Sequence, residues 1–283
     1  MKKWLIFLFT LLLALPAAAE TADGPLASFA LLDGVPVEAD LDGDGAMEEL
    51  TFRTFPDEEA SEDSAEVAVS DGEASGLWQS GLLYAADAYI ADLDGDGVIE
   101  ILVCGDEMSA DYETWCLHWV DGGLAALPFA DASRSGTGEG YADVGYGYVY
   151  AIDGGSVTLC GSQDVLGTYF GTRVFTLADG VFELDDDGLW HFIIDEYAWE
   201  RALLPTQDIA ATFVADGVQT EGAIPAGTRF IVTASDKVSV VWFETEDGRE
   251  GFFAIAPDTE AGWGSLVNGI PEGRLFETVP YAD

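Results

Sequence analysis

Two short acidic segments have the composition of cation-binding loops. Each has aspartates at its positions 1, 3 and 5, an apolar residue at position 7 and a glutamate at position 9. The first set is Asp40, Asp42, Asp44, Ala46 and Glu48, and the second is Asp92, Asp94, Asp96, Val98 and Glu100. Carboxylate oxygens from the four acids and the backbone carbonyl of position 7 can surround one hard cation, and such an all-oxygen set suits calcium. The sequence therefore predicts two Ca²⁺ sites.

The residues that follow each loop distinguish it from an EF-hand. An EF-hand loop also begins D-x-D-x-D-G, but it needs a bidentate acid at position 12 and helices on both sides. Position 12 is Thr51 in the first segment and Val103 in the second. Residues 49–55 alternate in polarity, and residues 99–103 are mostly apolar and β-branched, which are patterns typical of strands. We therefore expect each loop to join two strands.

The string A-D-L-D-G-D-G-x-x-E occurs twice, at Ala39 to Glu48 and at Ala91 to Glu100. With strands on both sides, it resembles the FG-GAP and VCBS repeats of integrin-like β-propellers, which carry calcium in a β-hairpin loop. The resemblance covers roughly a dozen residues in each copy. It implies a propeller-type repeat fold, and by analogy alone it implies an interaction function.

The spacing of the motif indicates a structural repeat. Asp92 follows Asp40 by 52 residues, and a further Ala-Asp pair occurs 51 residues later at Asp143. Glycines replace the second and third carboxylates of that copy, so we expect no ion there. A still weaker copy falls at Asp195. A period of about 50 residues with short alternating strands and Asp-Gly turns is typical of four-stranded propeller blades.

These patterns predict an all-β protein. Its expected first domain is a small or incomplete β-propeller-like repeat domain over residues 20–204, because only three to four repeat units fit that length. After Leu204 the pattern changes to four or five short strands with Ile224 to Thr228 among the connections. That order resembles a bacterial Src-homology-like small barrel. We therefore expect a second, small β-barrel domain over residues 205–283, with the tail from Trp263 packed on it.

The N-terminus has the features of an export signal. Lys2 and Lys3 precede an apolar run from Trp4 to Leu15, and Ala17-x-Ala19 fits signal-peptidase cleavage. Residues 1–19 are therefore predicted to be a signal peptide, and the protein is predicted to be secreted and extracellular. No later stretch is long and apolar enough to predict a membrane span.

The charge of the chain limits its partners. With 53 acids against 10 Lys and Arg, the formal net charge is −43, which makes nucleic acid and anionic lipid poor ligands. Cell-wall glycan or an extracellular protein is the expected partner. Seven aromatic residues near the second and third repeats could bind such a partner, although filling the space between sheets is the favoured interpretation: Tyr112, Trp115, Trp119, Tyr141, Tyr146, Tyr148 and Tyr150.

The three cysteines leave the disulfide state open. Cys104 and Cys116 flank a segment with the appearance of a hairpin connection, and in an exported protein they could form a disulfide across two strands. Cys160 is then left over, and we interpret it as a small buried hydrophobe.

No catalytic residue is assigned from the sequence. The two histidines, His118 and His191, lie in aromatic strand-like runs, and none of the common hydrolase motifs is present. The leading prediction is a secreted, calcium-stabilised binding or adhesion module without catalytic activity. The alternatives are an extracellular carbohydrate-active hydrolase that uses paired carboxylates, and a purely structural protein.

Overall fold

A computed structural model describes residues 28–56, 63–81, 83–107, 110–130, 142–184 and 187–282 of the chain. The predicted signal peptide and Tyr141 lie outside these ranges. The described residues form an all-β structure, as predicted, in which every pairing between named strands is antiparallel. Its two helical segments have four residues each, and neither could cross a bilayer.

The strands fall into an N-terminal and a C-terminal group. The N-terminal strands are β1 (Phe29–Leu31), β2 (Val37–Ala39), β3 (Glu48–Pro56), β4 (Asp63–Ser70), β5 (Ser75–Gln79), β6 (Tyr84–Ala91), β7 (Glu100–Asp106), β8 (Tyr112–Val120), β9 (Gly123–Ala126), β10 (Gly145–Tyr146), β11 (Tyr148–Asp153), β12 (Ser156–Asp164), β13 (Thr168–Ala178) and β14 (Val181–Leu184). The C-terminal elements are β15 (Trp190–Phe192), a 3-10 helix (Ala198–Arg201), β16 (Ile209–Ala215), β17 (Val218–Ile224), β18 (Phe230–Ser235), β19 (Val240–Thr245), β20 (Glu250–Pro257), β21 (Ser265–Val267), β22 (Ile270–Pro271) and α1 (Glu272–Leu275).

Three consecutive four-stranded meanders make up the N-terminal part. Strands β2 to β5 form the first sheet, and β6 to β9 form the body of the second sheet, which β1 and β10 extend. Strands β11 to β14 form the third meander. The expected repeat of short hairpins is therefore present, although none of the described sheets closes into a barrel. Closure into a propeller ring stays a prediction.

The three meanders pack face to face. Leu50 and Val67 of the first sheet share a buried core with Ile101 of β7, on one side of the second sheet. On its other side, Leu102 of β7 lies in a core with Leu159 of the third meander. Strand β7 is therefore buried on both faces, which explains why its sequence is a continuous apolar run and does not alternate.

The third meander and the C-terminal strands belong to one sheet. Strand β15 pairs with β13 through Gly171 and Phe192, and with β18 through Trp190 and Ser235, so the hydrogen-bonded path continues across residue 204. Strands β16 to β22 surround a core around Phe230, to which Val165 and Leu166 of the turn between β12 and β13 also contribute. The sheet and this core therefore both continue across the expected domain boundary at residue 204.

The third copy of the acidic motif does not lie at Asp143. In the first two meanders the motif joins strands 1 and 2, and in the third meander that connection is the tight turn of Asp153, Gly154 and Gly155. Asp143 precedes β10 at the edge of the second sheet, and Asp195 follows β15. The chain between β9 and β11 makes the third repeat longer than the first two. A fixed period of about 50 residues from Asp92 therefore ends before the equivalent turn at Asp153.

Candidate metal centre

Each acidic loop joins two strands, as the sequence predicted, and these strands are the first two of a meander. The loop that starts at Asp40 joins β2 to β3, and the loop that starts at Asp92 joins β6 to β7. The two strands of each hairpin pair directly on either side of the loop, with Ala39 opposite Glu48 and Ala91 opposite Glu100. The last residue before each loop is thus fixed next to the glutamate that ends it.

The leucine at position 2 and the glutamate at position 9 close the base of each loop. Leu41 and Leu93 are buried in the cores on the two sides of the second sheet. The Leu41 N–H donates to Glu48 Oε2 at 2.7 Å, and the Leu93 N–H donates to Glu100 Oε2 at 2.8 Å. This leaves the second carboxylate oxygen of each glutamate available for a cation.

Backbone N–H groups hold the aspartates within each loop. Asp40 Oδ2 accepts from the Gly45 N–H at 3.0 Å, and Asp92 Oδ2 accepts from the Gly97 N–H at 3.2 Å. The two glycines have φ of +87° and +90°, a backbone conformation that residues with a Cβ rarely adopt. The glycine at position 6 therefore lets the chain turn back over the carboxylate of position 1.

Three acids of each loop place carboxylate oxygens within 4.8 Å of one another. In the first loop they are Asp40, Asp42 and Glu48, and in the second they are Asp92, Asp94 and Asp96. These two groups are the clusters of three or more potential metal ligands found in the part of the chain that the structure describes.

The remaining predicted ligands lie beside these clusters. Asp44 Oδ1 accepts from the Ala46 N–H at 2.7 Å, and Asp96 Oδ1 accepts from the Val98 N–H at 2.8 Å. Ala46 and Val98 therefore lie where the turn returns toward β3 and β7, at the position predicted to supply a carbonyl. Glu100 is 3% exposed and begins β7. All ten predicted residues thus belong to the two loops, and six of them form the gathered carboxylate clusters.

The carboxylates of each loop lie close enough to repel one another. Burial, together with repulsion from Asp94, Asp96 and Asp92, raises the pKa of Glu100 to about 7, although the Leu93 N–H acts in the opposite direction. Burial is also the main cause of the raised pKa values of Glu48 and Asp94. In the first loop, Asp40 Oδ1 is buried and has no hydrogen-bond partner. A cation at each cluster would offset this repulsion, and in the first loop it would also contact Asp40 Oδ1.

The two loops contact each other, which the sequence did not indicate. The Ile99 N–H donates to the Leu41 carbonyl oxygen at 3.1 Å. A Cβ on Gly43 would lie 3.2 Å from the Gly97 carbonyl oxygen, so the glycine allows the close approach. On the other side of the second loop, Gly155 packs closely against the Leu93 carbonyl. The three equivalent hairpin turns therefore stack at one end of the meanders.

The cysteines and His191, which were also considered from the sequence, lie outside the two acidic loops. Cys104, Cys116 and Cys160 are buried and free, and register explains why the first two form no bridge: Cys104 faces Thr114 on β8, and Cys116 faces Leu102. Burial raises the pKa of Cys104 to about 11. His191 is exposed and lies 3.2 Å from Asp187 in an ion-pair geometry.

The aromatic residues do not share one role. Trp119 is buried between the first two sheets, and Trp115 packs on Trp78 with ring centroids 5.5 Å apart. Tyr146 and Tyr148 belong to different strands, because Gly147 with φ of +116° separates β10 from β11. Tyr146 and Tyr148 therefore do not lie on one continuous strand.

Comparisons of the chain with protein-family models, with curated proteins and with solved structures give no match. The resemblance of the loops to FG-GAP and VCBS repeats therefore stays a prediction from the motif.

Proposed function

We propose that the protein is a secreted, non-catalytic binding module in which the two acidic loops each bind one Ca²⁺. The observation that carries this proposal is the pair of matching loops, which share the same base hydrogen bond and each gather three carboxylates within 4.8 Å. The gathered acids are those of positions 1, 3 and 9 in the first loop and of positions 1, 3 and 5 in the second. The buried, unpartnered Oδ1 of Asp40 supports the same proposal.

The donor set favours calcium over other common cations. Carboxylate and carbonyl oxygens are hard ligands, and the loops contain no histidine or cysteine that would favour zinc. Calcium accepts six to eight oxygens in flexible geometry, whereas Mg²⁺ demands a near-octahedral set and retains its waters. Four acids and one carbonyl in a turn that includes two glycines match the calcium requirement.

The ions would stabilise the contact between the first two meanders. The loops bring eight carboxylates to one end of two adjacent hairpins, and the loops are joined by the bond from Ile99 to Leu41. Without cations these charges repel one another. Two Ca²⁺ would neutralise half of the formal charge of these eight carboxylates and so favour the packing of the first sheet on the second.

The remaining parts of the proposal derive from the sequence. The predicted signal peptide supports secretion, and the net charge of −43 favours a neutral or cationic partner such as cell-wall glycan or an extracellular protein. A carbohydrate-active hydrolase stays the alternative. It gains no support from the gathered carboxylates, because those lie in the turns at the ends of two hairpins.

Calorimetric titration of the calcium-free chain without residues 1–19 tests the proposal. We expect two Ca²⁺ per chain, weaker binding of Mg²⁺, and a higher melting temperature in calcium than in chelator. At a calcium concentration 100 times Kd, each site contributes about 2.7 kcal/mol to the free energy of unfolding.

Two variants locate the ions. Asp42→Asn should remove one ion from the first loop, and Asp94→Asn should remove one from the second. Asp121→Asn, in the turn between β8 and β9, is the control and should retain both. A stoichiometry of zero with an unchanged melting temperature would refute the proposed role of the loops.

A further inference from the structure

A cleft of about 920 Å³ opens where the second sheet, the third meander and the C-terminal tail meet. Its walls include Tyr89, Tyr112 and Tyr148 from the two meanders, and Tyr169 and Tyr281 from β13 and the tail. This volume lies in the range of small-molecule sites, which is roughly 300 to 1,000 Å³. Binding sites are frequent at junctions between packed units of a protein.

The cleft is separate from the two acidic loops. Asp87 and Cys104, which are opposite each other on β6 and β7, line it, whereas the loop begins beyond Ala91 and Glu100. Five residues along a strand separate Asp87 from Asp92, a distance of roughly 17 Å. A ligand in the cleft would therefore bind near the opposite end of the hairpin from the proposed ion.

Three of the tyrosines use their hydroxyl groups within the protein. The Tyr169 hydroxyl donates to the Leu166 carbonyl at 3.0 Å, and the Tyr281 hydroxyl donates to Glu272 Oε1 at 2.9 Å. The Tyr148 hydroxyl is hydrogen-bonded to Cys160, and burial raises its pKa. One face of the Tyr169 ring stacks on Phe192, with ring centroids 5.0 Å apart. Because the polar ends are already paired, a ligand would contact these tyrosines through the part of each ring that lines the cleft.

Two exposed apolar side chains extend this aromatic surface. Phe170 is 43% exposed and Ile193 is 37% exposed, and both line the cleft. The Ile193 N–H donates to the Phe170 carbonyl at 2.8 Å, so the backbone fixes the two residues side by side. A large apolar residue that is fixed and exposed in a concave site is a suitable contact for an apolar ligand face.

Charged groups lie at the edge of the same cleft. Arg201 Nη2 is 2.9 and 3.0 Å from the two carboxylate oxygens of Asp195. Asp87 contributes a further carboxylate from β6. The cleft therefore combines ring surfaces with a few hydrogen-bonding groups of both types, acceptors on the aspartates and donors on the arginine.

We propose that this cleft binds a short neutral oligosaccharide. A sugar ring has apolar C–H faces that pack on aromatic rings, and hydroxyl groups at its edge that both donate and accept hydrogen bonds. The aromatic walls match the first property, and Asp87 with the Asp195–Arg201 pair matches the second. This inference rests on the proposed binding function and names its site and its class of ligand.

The charges favour a neutral sugar over a charged ligand. A net charge of −43 repels anions. A cation would find Asp195 already paired with Arg201, and it would approach the positive charge of that arginine in the same cleft. A neutral hydroxylated ligand avoids both costs and can use the ion pair as a donor and an acceptor together.

Titration of the calcium-loaded protein with a panel of neutral trisaccharides tests the proposal. The probes are cellotriose, maltotriose, xylotriose, mannotriose and the trimer of N-acetylglucosamine, with spermine as the cationic comparison. At least one trisaccharide should bind with a Kd of roughly 1 mM or tighter, and spermine should not compete with it.

Matched variants assign the binding to the cleft. Phe170→Ala should weaken binding of that trisaccharide by about tenfold, which corresponds to 1.4 kcal/mol. Phe55→Ala is the control, because Phe55 is 42% exposed, close to the 43% of Phe170, but lies on β3 outside the cleft. Asp87→Asn, which retains one acceptor, should weaken binding less. Melting temperatures of all three variants should stay close to that of the wild type.

Each result bears on one of the two proposals. Two bound Ca²⁺ without binding of any trisaccharide would overturn the saccharide site and leave the calcium proposal intact. Trisaccharide binding that Phe170→Ala does not change would place the ligand elsewhere and overturn the assignment. Spermine binding that Asp87→Asn removes would show that the cleft takes cations. Absence of calcium binding would contradict the proposed function itself.

Discussion

The Ile99 N–H donates a 3.1 Å hydrogen bond to the Leu41 carbonyl oxygen, which joins the two acidic loops through their backbones. Leu41 occupies position 2 of the first loop, and Ile99 occupies position 8 of the second. The N–H of the same residue, Leu41, donates to Glu48 Oε2 within the first loop. An ion that orders one loop therefore orders a peptide group that the other loop contacts.

This contact predicts coupling between the two proposed calcium sites. Asp92→Asn should remove the ion of the second loop. It should also lower the calcium affinity of the first loop by about fivefold, which is the lower end of ordinary coupling between sites. Calorimetric titration measures both effects. Asp153→Asn changes the equivalent turn of the third meander and should leave two sites of normal affinity. Unchanged affinity at the first loop in Asp92→Asn would show that the sites are independent.

Replacement of Glu100 by glutamine should change the free energy of unfolding in opposite directions in the presence and in the absence of calcium. Glu100→Gln retains an oxygen that can accept from the Leu93 N–H, but it removes a buried charge that repels its neighbours. In chelator the variant should therefore be as stable as the wild type or more stable, by about 1 kcal/mol. In calcium it should be less stable, because a ligand charge is lost.

Urea unfolding in chelator and in calcium checks this crossover. Glu100→Ala is the matched variant that also loses the acceptor, and it should be destabilised in both conditions, by about 1 to 3 kcal/mol in chelator. If Glu100→Gln were destabilised equally with and without calcium, its role would be confined to closing the loop.

Gly147 should be intolerant of a side chain. Its φ is +116°, and a Cβ would lie 2.8 Å from the Cys160 carbonyl oxygen, at the point where the chain passes from the second sheet to the third meander. Gly147→Ala should lower the free energy of unfolding by about 3 kcal/mol or more, because backbone strain and backbone displacement act together. Gly154→Ala is the control, since its Cβ meets nothing within 4 Å and its φ of +54° should cost about 1 kcal/mol. Equal losses in urea unfolding would contradict this explanation.

Asp236 should make the turn between β18 and β19 sensitive to acid. Its Oδ1 accepts from the N–H groups of Val238, Ser239 and Val240 at 2.9, 2.7 and 2.9 Å. Burial acts to raise the pKa of Asp236, but these bonds and the Ser239 hydroxyl outweigh it, and the pKa is lowered from its ordinary 3.8. A lowered pKa in the folded state stabilises the protein above the ordinary value, and this contribution is lost as the pH falls through the folded pKa.

Comparison of the wild type with Asp236→Ala at two pH values checks the sign. At pH 7 the variant should be less stable by about 1 kcal/mol, a figure reduced for the partial exposure of the carboxylate. At an acidic pH below the ordinary value of 3.8 the difference should shrink, because the contribution of the lowered pKa is lost as the pH falls through the folded-state pKa. Urea midpoints in chelator measure both differences and avoid any contribution from calcium. A difference that grew in acid would show that the pKa is raised.

Short segments of the sequence were enough to predict the acidic turns and the strands beside them. Nine residues contain all the predicted ligands of a loop, and the strand patterns on either side showed that each loop closes a hairpin. The all-β class followed from the same alternation. The prediction of two hairpins holds because the hydrogen bonds from Leu41 to Glu48 and from Leu93 to Glu100 span only seven residues, and a β-hairpin fixes such contacts locally.

The way in which the hairpins combine depends on contacts between distant parts of the chain. Contact between the two loops depends on face-to-face packing of separate sheets, and the true third turn at Asp153 depends on the length of the chain between meanders. The cleft combines β6 with Arg201 and Tyr281, which come from distant parts of the chain. A short sequence pattern does not indicate which side chains from distant parts of the chain contact each other, because those contacts depend on the packing of the whole core.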